Sequence, residues 1–442
     1  MSIDQGDRPL GLYVHVPFCE RKCPYCDFNT YAGLESLFER YVDALCLELA
    51  REAPRAEGRA LSSVFVGGGT PTVLAPALLG RIFASIRQHF ELTPDCEISS
   101  EANPGTVDGE RFSHLVELGV NRLSMGVQSL QPSELGFLGR IHSADEALRA
   151  FETARAAGLA RINLDFMFGM PGQSPESWAR TLDAALELRP EHLSLYSLIV
   201  EPETPLARWV HEGKVAAPDD DEAAELYHMA RERLGAAGYV QYEVSNWALA
   251  DSEAGARGST DGTTGEQASR ASEPAEARNP RASTRLDTRA AIAPPRLACQ
   301  HNLLYWRNGD FLAVGPGAHG SLHRPAGQDG PHEALRWWNI KAVPEYIRRI
   351  QAGEPVEAER ESVAGAKAMG ETMMLGLRLV EEGIGYARFR ALHGADAREV
   401  FADTIRELTE WGLLRDAGDA LCLTERGLLV GNQVFERFIE AV

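Results

Sequence analysis

Six short runs rich in apolar and β-branched residues recur through the N-terminal half of the chain: LYVHV, SSVFVGG, CEISSEAN, RLSMGVQ, RINLDFMFG and HLSLYSLIV. Amphipathic stretches such as ESLFERYVDALCLELAREA and DEALRAFETARAAGL separate them. Strand and helix periods in alternation imply parallel βα units. Six of them predict an α/β fold, an open partial (β/α)6 version of the eight-unit barrel. In such a fold functional side chains gather at the C-terminal ends of strands. The polar candidates fall there: Gly67 to Gly69 after VFV, Glu101 after EISS, Gln128 after SMGV and Asp165 after RINL.

The rest of the chain divides on composition. Residues 1–250 form the expected core. Residues 251–297 are rich in Ala, Ser, Thr, Gly, Glu and Arg, and from Asp251 to Arg296 no aromatic residue occurs. Such a tract buries too little apolar surface to offset its ordering entropy, so a disordered surface insertion is expected. Residues 298–355 carry HNLLYW and a linker. Over residues 356–442 helical patterns return around RDAGDALCL, which reads as a hairpin with its turn at GD. A closing helix then follows, capped by Thr424. Helices with one hairpin predict a C-terminal, winged-helix-like module. The formal charge of −20 argues against a nucleic-acid or anionic-membrane partner. No apolar run reaches the roughly 18 residues of a transmembrane helix, and MSIDQGDRPLGLYV lacks an apolar signal core, so a cytoplasmic protein is expected.

Seven cysteines, an odd number in a chain of this length, do not suggest a disulfide framework. Cys46, Cys96, Cys299 and Cys422 are isolated and read as structural. Cys19, Cys23 and Cys26 stand together in VHVPFCERKCPYCDFNTY. Three thiolates on one loop can hold three corners of a cubane iron–sulfur cluster and leave its fourth iron open to a small molecule. A zinc site with His15 as fourth ligand is the alternative, although structural zinc usually takes two separated pairs. The VGGGTPT run leaves backbone groups bare for a ligand and lacks the lysine of a phosphate loop. VGPGAHG formally matches GxGxxG, but Pro316 interrupts it and no helix follows, so no dinucleotide site is expected there. Glu101, Gln128, Arg140 and Asp165 singly read as solvated strand ends or internal hydrogen-bonding groups. Together they suit a zwitterionic ligand: Arg140 can pair a carboxylate, and the two acids can face ribose hydroxyls or a sulfonium. HNLLYW alone reads as a capped turn with buried aromatics; it can also offer an axial nitrogen and flat faces to a porphyrin.

With these residues in view, YVHVPFCERKCPYCDF, FVGGGTPT, EANPGT, NRLSMGVQS, LGRIHS and INLDFMFGMPGQ together resemble the radical S-adenosylmethionine (SAM) superfamily. Within it they are similar to the oxygen-independent coproporphyrinogen oxidase group. The resemblance spans nearly the whole chain apart from the insertion. It implies a [4Fe-4S] cluster on Cys19, Cys23 and Cys26, with SAM chelated at the open iron. It also implies cofactor binding at Tyr13, Tyr25, Gly68, Gly69, Thr70, Glu101, Gln128, Arg140 and Asp165. True oxidases of the group carry a further cysteine two positions after the third cluster ligand, where this chain has Phe28, and a longer segment before the cluster loop. CPYCDFN and HNLLYWRNGD instead resemble the HemW heme chaperone branch and its HNxxYW motif. That branch implies heme at His301, Asn302, Tyr305 and Trp306; should a His301→Ala variant keep heme, His319 or His15 is next in line as ligand. It further implies transfer to an acceptor, expected to be a respiratory hemoprotein, and a peripheral membrane association only through that acceptor. Oxidative decarboxylation of coproporphyrinogen III is the alternative, and enzymatic activity is left open.

Overall fold

The computed structural model describes residues 8–251, 292–325 and 332–441. The six apolar runs are six strands: β1 (Leu10–Val16), β2 (Leu61–Gly68), β3 (Leu92–Ala102), β4 (Arg122–Gln128), β5 (Ile162–Phe168) and β6 (His192–Ser197). They lie side by side in that order and all run parallel. Leu10, Leu12, Val14 and Val16 are fully buried on one face of β1, and Gly11 and His15 are buried on the other, as a parallel strand covered on both faces requires. The helix Phe38–Glu52 buries Tyr41, Val42, Leu45 and Leu49 on one side. Helix starts are fixed locally: Ser143 and Glu146 form a capping box, and Asp108, Ser174, Thr204 and Asp219 accept from backbone amides of the first turn.

Six further strands, which the sequence pattern does not announce, widen this sheet to twelve. They are β7 (Tyr239–Glu243), β8 (Asn246–Leu249), β9 (Asp310–Val314), β10 (His319–Pro325), β11 (His332–Asn339) and β12 (Glu357–Val363). The spatial order is β12-β11-β10-β9-β1-β2-β3-β4-β5-β6-β8-β7. β9 pairs parallel to β1, whereas β10 to β12 and the β7–β8 pair extend the two edges antiparallel. β12, EAERESV, is an edge strand dense in charge, which discourages pairing with another chain and hides its strand character from an apolar pattern.

A C-terminal helical module is present, but it begins after Val363 and not at residue 356, because β12 pairs into the large sheet. β13 (Ile384–Gly385), β14 (Leu414–Asp416) and β15 (Ala420–Leu423) form a small antiparallel sheet among helices. The β14–β15 turn carries Gly418 at φ 92°, and Thr424 caps the next helix by accepting from the Gly427 amide at 3.0 Å. The single closing helix expected there is two, Glu425–Leu429 and Gly431–Glu440. Val430, at φ −116° and ψ 27°, breaks the helix so that Val434, Phe435 and Phe438 turn inward. The module is tied to the core: the Val380 amide donates to Tyr242 O at 3.1 Å and the Val244 amide to Arg378 O at 3.1 Å.

Of the low-complexity tract expected over 251–297, residues 252–291 lie outside the described residues. Its flanks meet: the Arg296 amide donates to Asp251 Oδ1 at 2.9 Å, and Leu297 O accepts from Arg122. Among the described residues no helix is long and apolar enough to cross a membrane.

A candidate cofactor cavity at the strand ends

β1 leads directly into the cysteine loop, and β2 holds that loop in place. The amides of Gly69 and Thr70, just after β2, donate to Val16 O at 2.8 Å and Phe18 O at 2.7 Å. A β-carbon at Gly69 would lie 2.5 Å from Phe18 O, and one at Gly68, where φ is 103°, would run into Nδ1 of His15. The glycine run therefore serves chain packing as well as ligand approach. Gly68→Ala is expected to destabilise the protein by about 3 kcal/mol. Denaturant unfolding would show this, and an unchanged midpoint would mean that β1 and β2 need no such close approach.

On its other side the loop is clamped by the segment that follows β9. Asn29 Nδ2 donates to Pro316 O at 2.9 Å, and Tyr31 OH donates to Asn29 Oδ1 at 2.9 Å. Asn29 fills the space where a side chain at Gly317 would go. VGPGAHG thus acts as a brace for the cysteine loop.

A cavity of about 470 Å³ opens at the strand ends. Cys19, Cys23, Cys26, Tyr25, Gly68, Gly69 and Thr70 line it, facing Glu101, Gln128, Arg140 and Asp165. Of the cofactor positions expected from sequence, only Tyr13 does not line it; its hydroxyl meets His15 Nδ1 at 2.9 Å beneath Gly68. Glu101 comes from β3, Gln128 from β4 at φ 69°, and Asp165 from β5. Arg140 is not at a strand tip. It stands on the connection after the helix Pro132–Phe137, with Nη1 at 3.4 Å from Cys23 Sγ and Nη2 at 2.7 Å from Gly126 O.

Two carboxyls in the cavity, Glu101 and Asp165, are held above the usual carboxylate range. Glu101 is pushed up to about 8, first by burial and then by the neighbouring Asp165 carboxylate, against one hydrogen bond from the Gly68 amide at 2.9 Å. Burial raises Asp165 too, although Asn163 Nδ2 at 2.7 Å and Ser124 Oγ at 3.1 Å donate to it. Arg140 Nε is buried without a partner. Two raised carboxyls, an unpaired donor and three thiols around one void fit a ligand with positive charge, hydroxyl donors and a carboxylate. Burial raises the Cys19 and Cys26 thiols in the metal-free chain. A single zinc ion fits less well: His15 spends Nδ1 on Tyr13 and Nε2 on Asn29 O at 3.0 Å. Among the described residues no three acidic, thiol or imidazole groups converge on one ion. Ser124 and Asn163 were not among the residues expected from sequence. The signal was available, since Asn163 lies two positions before Asp165 and Ser124 four before Gln128 on their strands.

The four HNLLYW candidates do not share one surface. Asn302 lines the cavity floor beside Cys299. His301 is 1% exposed, does not line the cavity, and has both nitrogens engaged: Nδ1 with Ser63 Oγ at 2.8 Å and Nε2 with Tyr305 OH at 2.8 Å. Its ring stacks on Phe65. Trp306 lies under the Arg378 guanidinium at 4.5 Å, towards the C-terminal module. His319 stacks on Trp338, and like His15 it is absent from the cavity wall.

Comparison with known proteins agrees with this architecture. Residues 13–185 match the radical SAM superfamily and residues 364–430 match the HemN C-terminal domain. The chain is 36% identical to a heme chaperone HemW of Mycobacterium tuberculosis over 97% of this chain and 94% of that one. It is 35% identical to that of Escherichia coli, over 98% of both. A mitochondrial radical S-adenosyl methionine domain-containing protein 1 of Bos taurus is 32% identical over 96% of this chain and 83% of its own length. Among solved structures, the coproporphyrinogen III oxidase HemN of Escherichia coli superposes with a TM-score of 0.74 at 22% identity, over 99% of this chain and 91% of that one. With the cysteine loop, the six parallel strands and the C-terminal module all matched along its length, the chain belongs to the HemW family of the radical SAM superfamily.

Proposed function

We propose that this protein is a heme chaperone, binding heme and passing it to an acceptor hemoprotein, on a scaffold that carries a [4Fe-4S] cluster and SAM. The observation that carries the reading is likeness along nearly the whole chain to proteins called heme chaperone HemW in distant bacteria. Cys19, Cys23 and Cys26 would hold the cluster. When bound, it supplies an iron left open by its three thiolate ligands. Glu101 and Asp165 bring negative charge to a cationic ligand, Arg140 offers an unpaired donor to a carboxylate, and Gly68, Gly69 and Thr70 present backbone close to the void. Tyr25 covers the loop side, and Tyr13 backs His15 from beneath. The acceptor in this reading is a respiratory hemoprotein, met from the cytoplasm.

The test uses the full-length protein with its cluster reconstituted without oxygen. Hemin titration should give a saturable Soret band, and anaerobic incubation with coproporphyrinogen III and SAM should give no protoporphyrinogen. Clear turnover would overturn the chaperone reading in favour of oxidative decarboxylation.

A further inference from the structure

Among the described residues, the two most exposed large apolar side chains are Phe28, 65% exposed, and Ile199, 60% exposed. They come from different parts of the chain, the cysteine loop and the segment after β6, yet both line the cavity at the strand ends. Tyr196, 41% exposed, joins them. Scattered apolar residues on a surface need no explanation, but the most exposed ones gathered at one opening do.

The same rim carries charge of the right sign for an anion. Arg21 and Lys22 line the cavity in a chain of net charge −20, and no ion pair among the described residues includes either of them. Lys22 Nζ donates to the Phe28 carbonyl at 3.0 Å, which ties the cation to the backbone of the residue that carries the exposed ring. Asp27 and Glu201 also line the cavity, so the rim as a whole is mixed, with its two loop cations free of carboxylate partners.

We infer that the rim formed by Phe28, Tyr196 and Ile199, flanked by Arg21 and Lys22, is where this protein receives heme. A flat apolar macrocycle covers Phe28, Ile199 and the exposed part of the Tyr196 ring, whose hydroxyl turns inward to Ser194 and Asp165, and its propionates meet the two cations. This inference rests on the heme-chaperone reading and gives it a place. The buried His301, with both nitrogens satisfied, lies behind the cavity wall and does not meet the macrocycle at the rim. Phe28 thereby gains a role of its own: the cysteine loop faces the cluster with its thiols and the heme with its ring.

The test is a hemin titration of the full-length, cluster-reconstituted protein, read at the Soret band, with iron and sulfide measured on each sample. Phe28→Ser and Ile199→Ser should each weaken hemin binding about tenfold while iron and sulfide stay at the native level. Ile199 is remote from the cysteines in sequence, so its variant remains informative if Phe28→Ser disturbs the cluster loop. Arg21→Glu with Lys22→Glu should weaken hemin by a similar factor, and should weaken hemin dimethyl ester much less. Rim variants with native affinity, alongside a His301→Asn variant that loses the Soret band, would move the site to the HNLLYW segment and overturn the inference. Failure of the unaltered protein to bind hemin saturably would instead overturn the heme-chaperone reading itself.

Discussion

Cys23→Ser is expected to empty the protein of iron and sulfide, from about four of each per chain to nearly none, and to bleach its brown colour. The three thiols line one cavity wall on a loop held by Gly69, Thr70 and Asn29, and none is in a disulfide. With two thiolates left, an exposed cluster loses a corner that no nearby residue replaces, because His15 is committed to Tyr13 and Asn29. The fold should survive, since the loop packs through its backbone and through Phe18, which is buried. Iron and sulfide analysis with a thermal unfolding curve separates the two effects. A variant that keeps four irons would remove Cys23 from the ligand set, and one tightly held zinc in the native chain would revive the mononuclear alternative.

Glu101→Gln is expected to weaken SAM binding about 30-fold, the worth of a charged contact out of water. Its pH dependence carries a definite sign. Burial and Asp165 raise the Glu101 pKa to about 8 in the folded, unliganded chain, well above its value in the unfolded chain. The folded state thus holds a proton that the unfolded state has released. Stability from this group is fully present below about pH 4.5 and is lost progressively as pH rises from there through about 8. A cationic ligand reverses the preference, because it favours the ionised carboxylate. SAM affinity should therefore climb from pH 6 to about 8 as the proton is released, and unfolding of the ligand-free chain should become easier over the same range. Both slopes should flatten in Glu101→Gln, measured by calorimetry and by denaturant unfolding. A native chain with no pH slope in either would mean that water or another group neutralises Glu101.

The legible part of this protein was the part written in period and spacing. β1 to β6 read directly because each carries an apolar face and stands between amphipathic helices. The cavity residues read because they follow those strands at their C-terminal ends, so Gly68, Glu101, Gln128 and Asp165 could be placed at one rim from sequence alone. β9 to β12 did not read. They are shorter or charged, and their stability comes from pairing with β1 or with one another. Arg140 was found in sequence but not its route, since it enters from a connection and reaches Cys23 only after the chain folds back at Gly139, where φ is 67°.

HNLLYW shows the same division. Its spacing marks a short helix, Gln300–Trp306, and its composition marks a functional segment. Only the packing shows that Asn302 faces the cavity while His301 turns towards Ser63 and Phe65, because successive residues on a helix point about 100° apart.

By itself, then, the sequence determined the parallel βα core, the C-terminal module, the cysteine triplet and the acids that line its cavity, since each depends on local periodicity or on residues adjacent in the chain. The tertiary structure alone decided that VGPGAHG braces the cysteine loop, that His301 is sealed behind the wall, and that Phe28, Ile199 and Tyr196 line one cavity. Those outcomes depend on contacts between segments more than a hundred residues apart, and side-chain direction there is set by packing that no local pattern records.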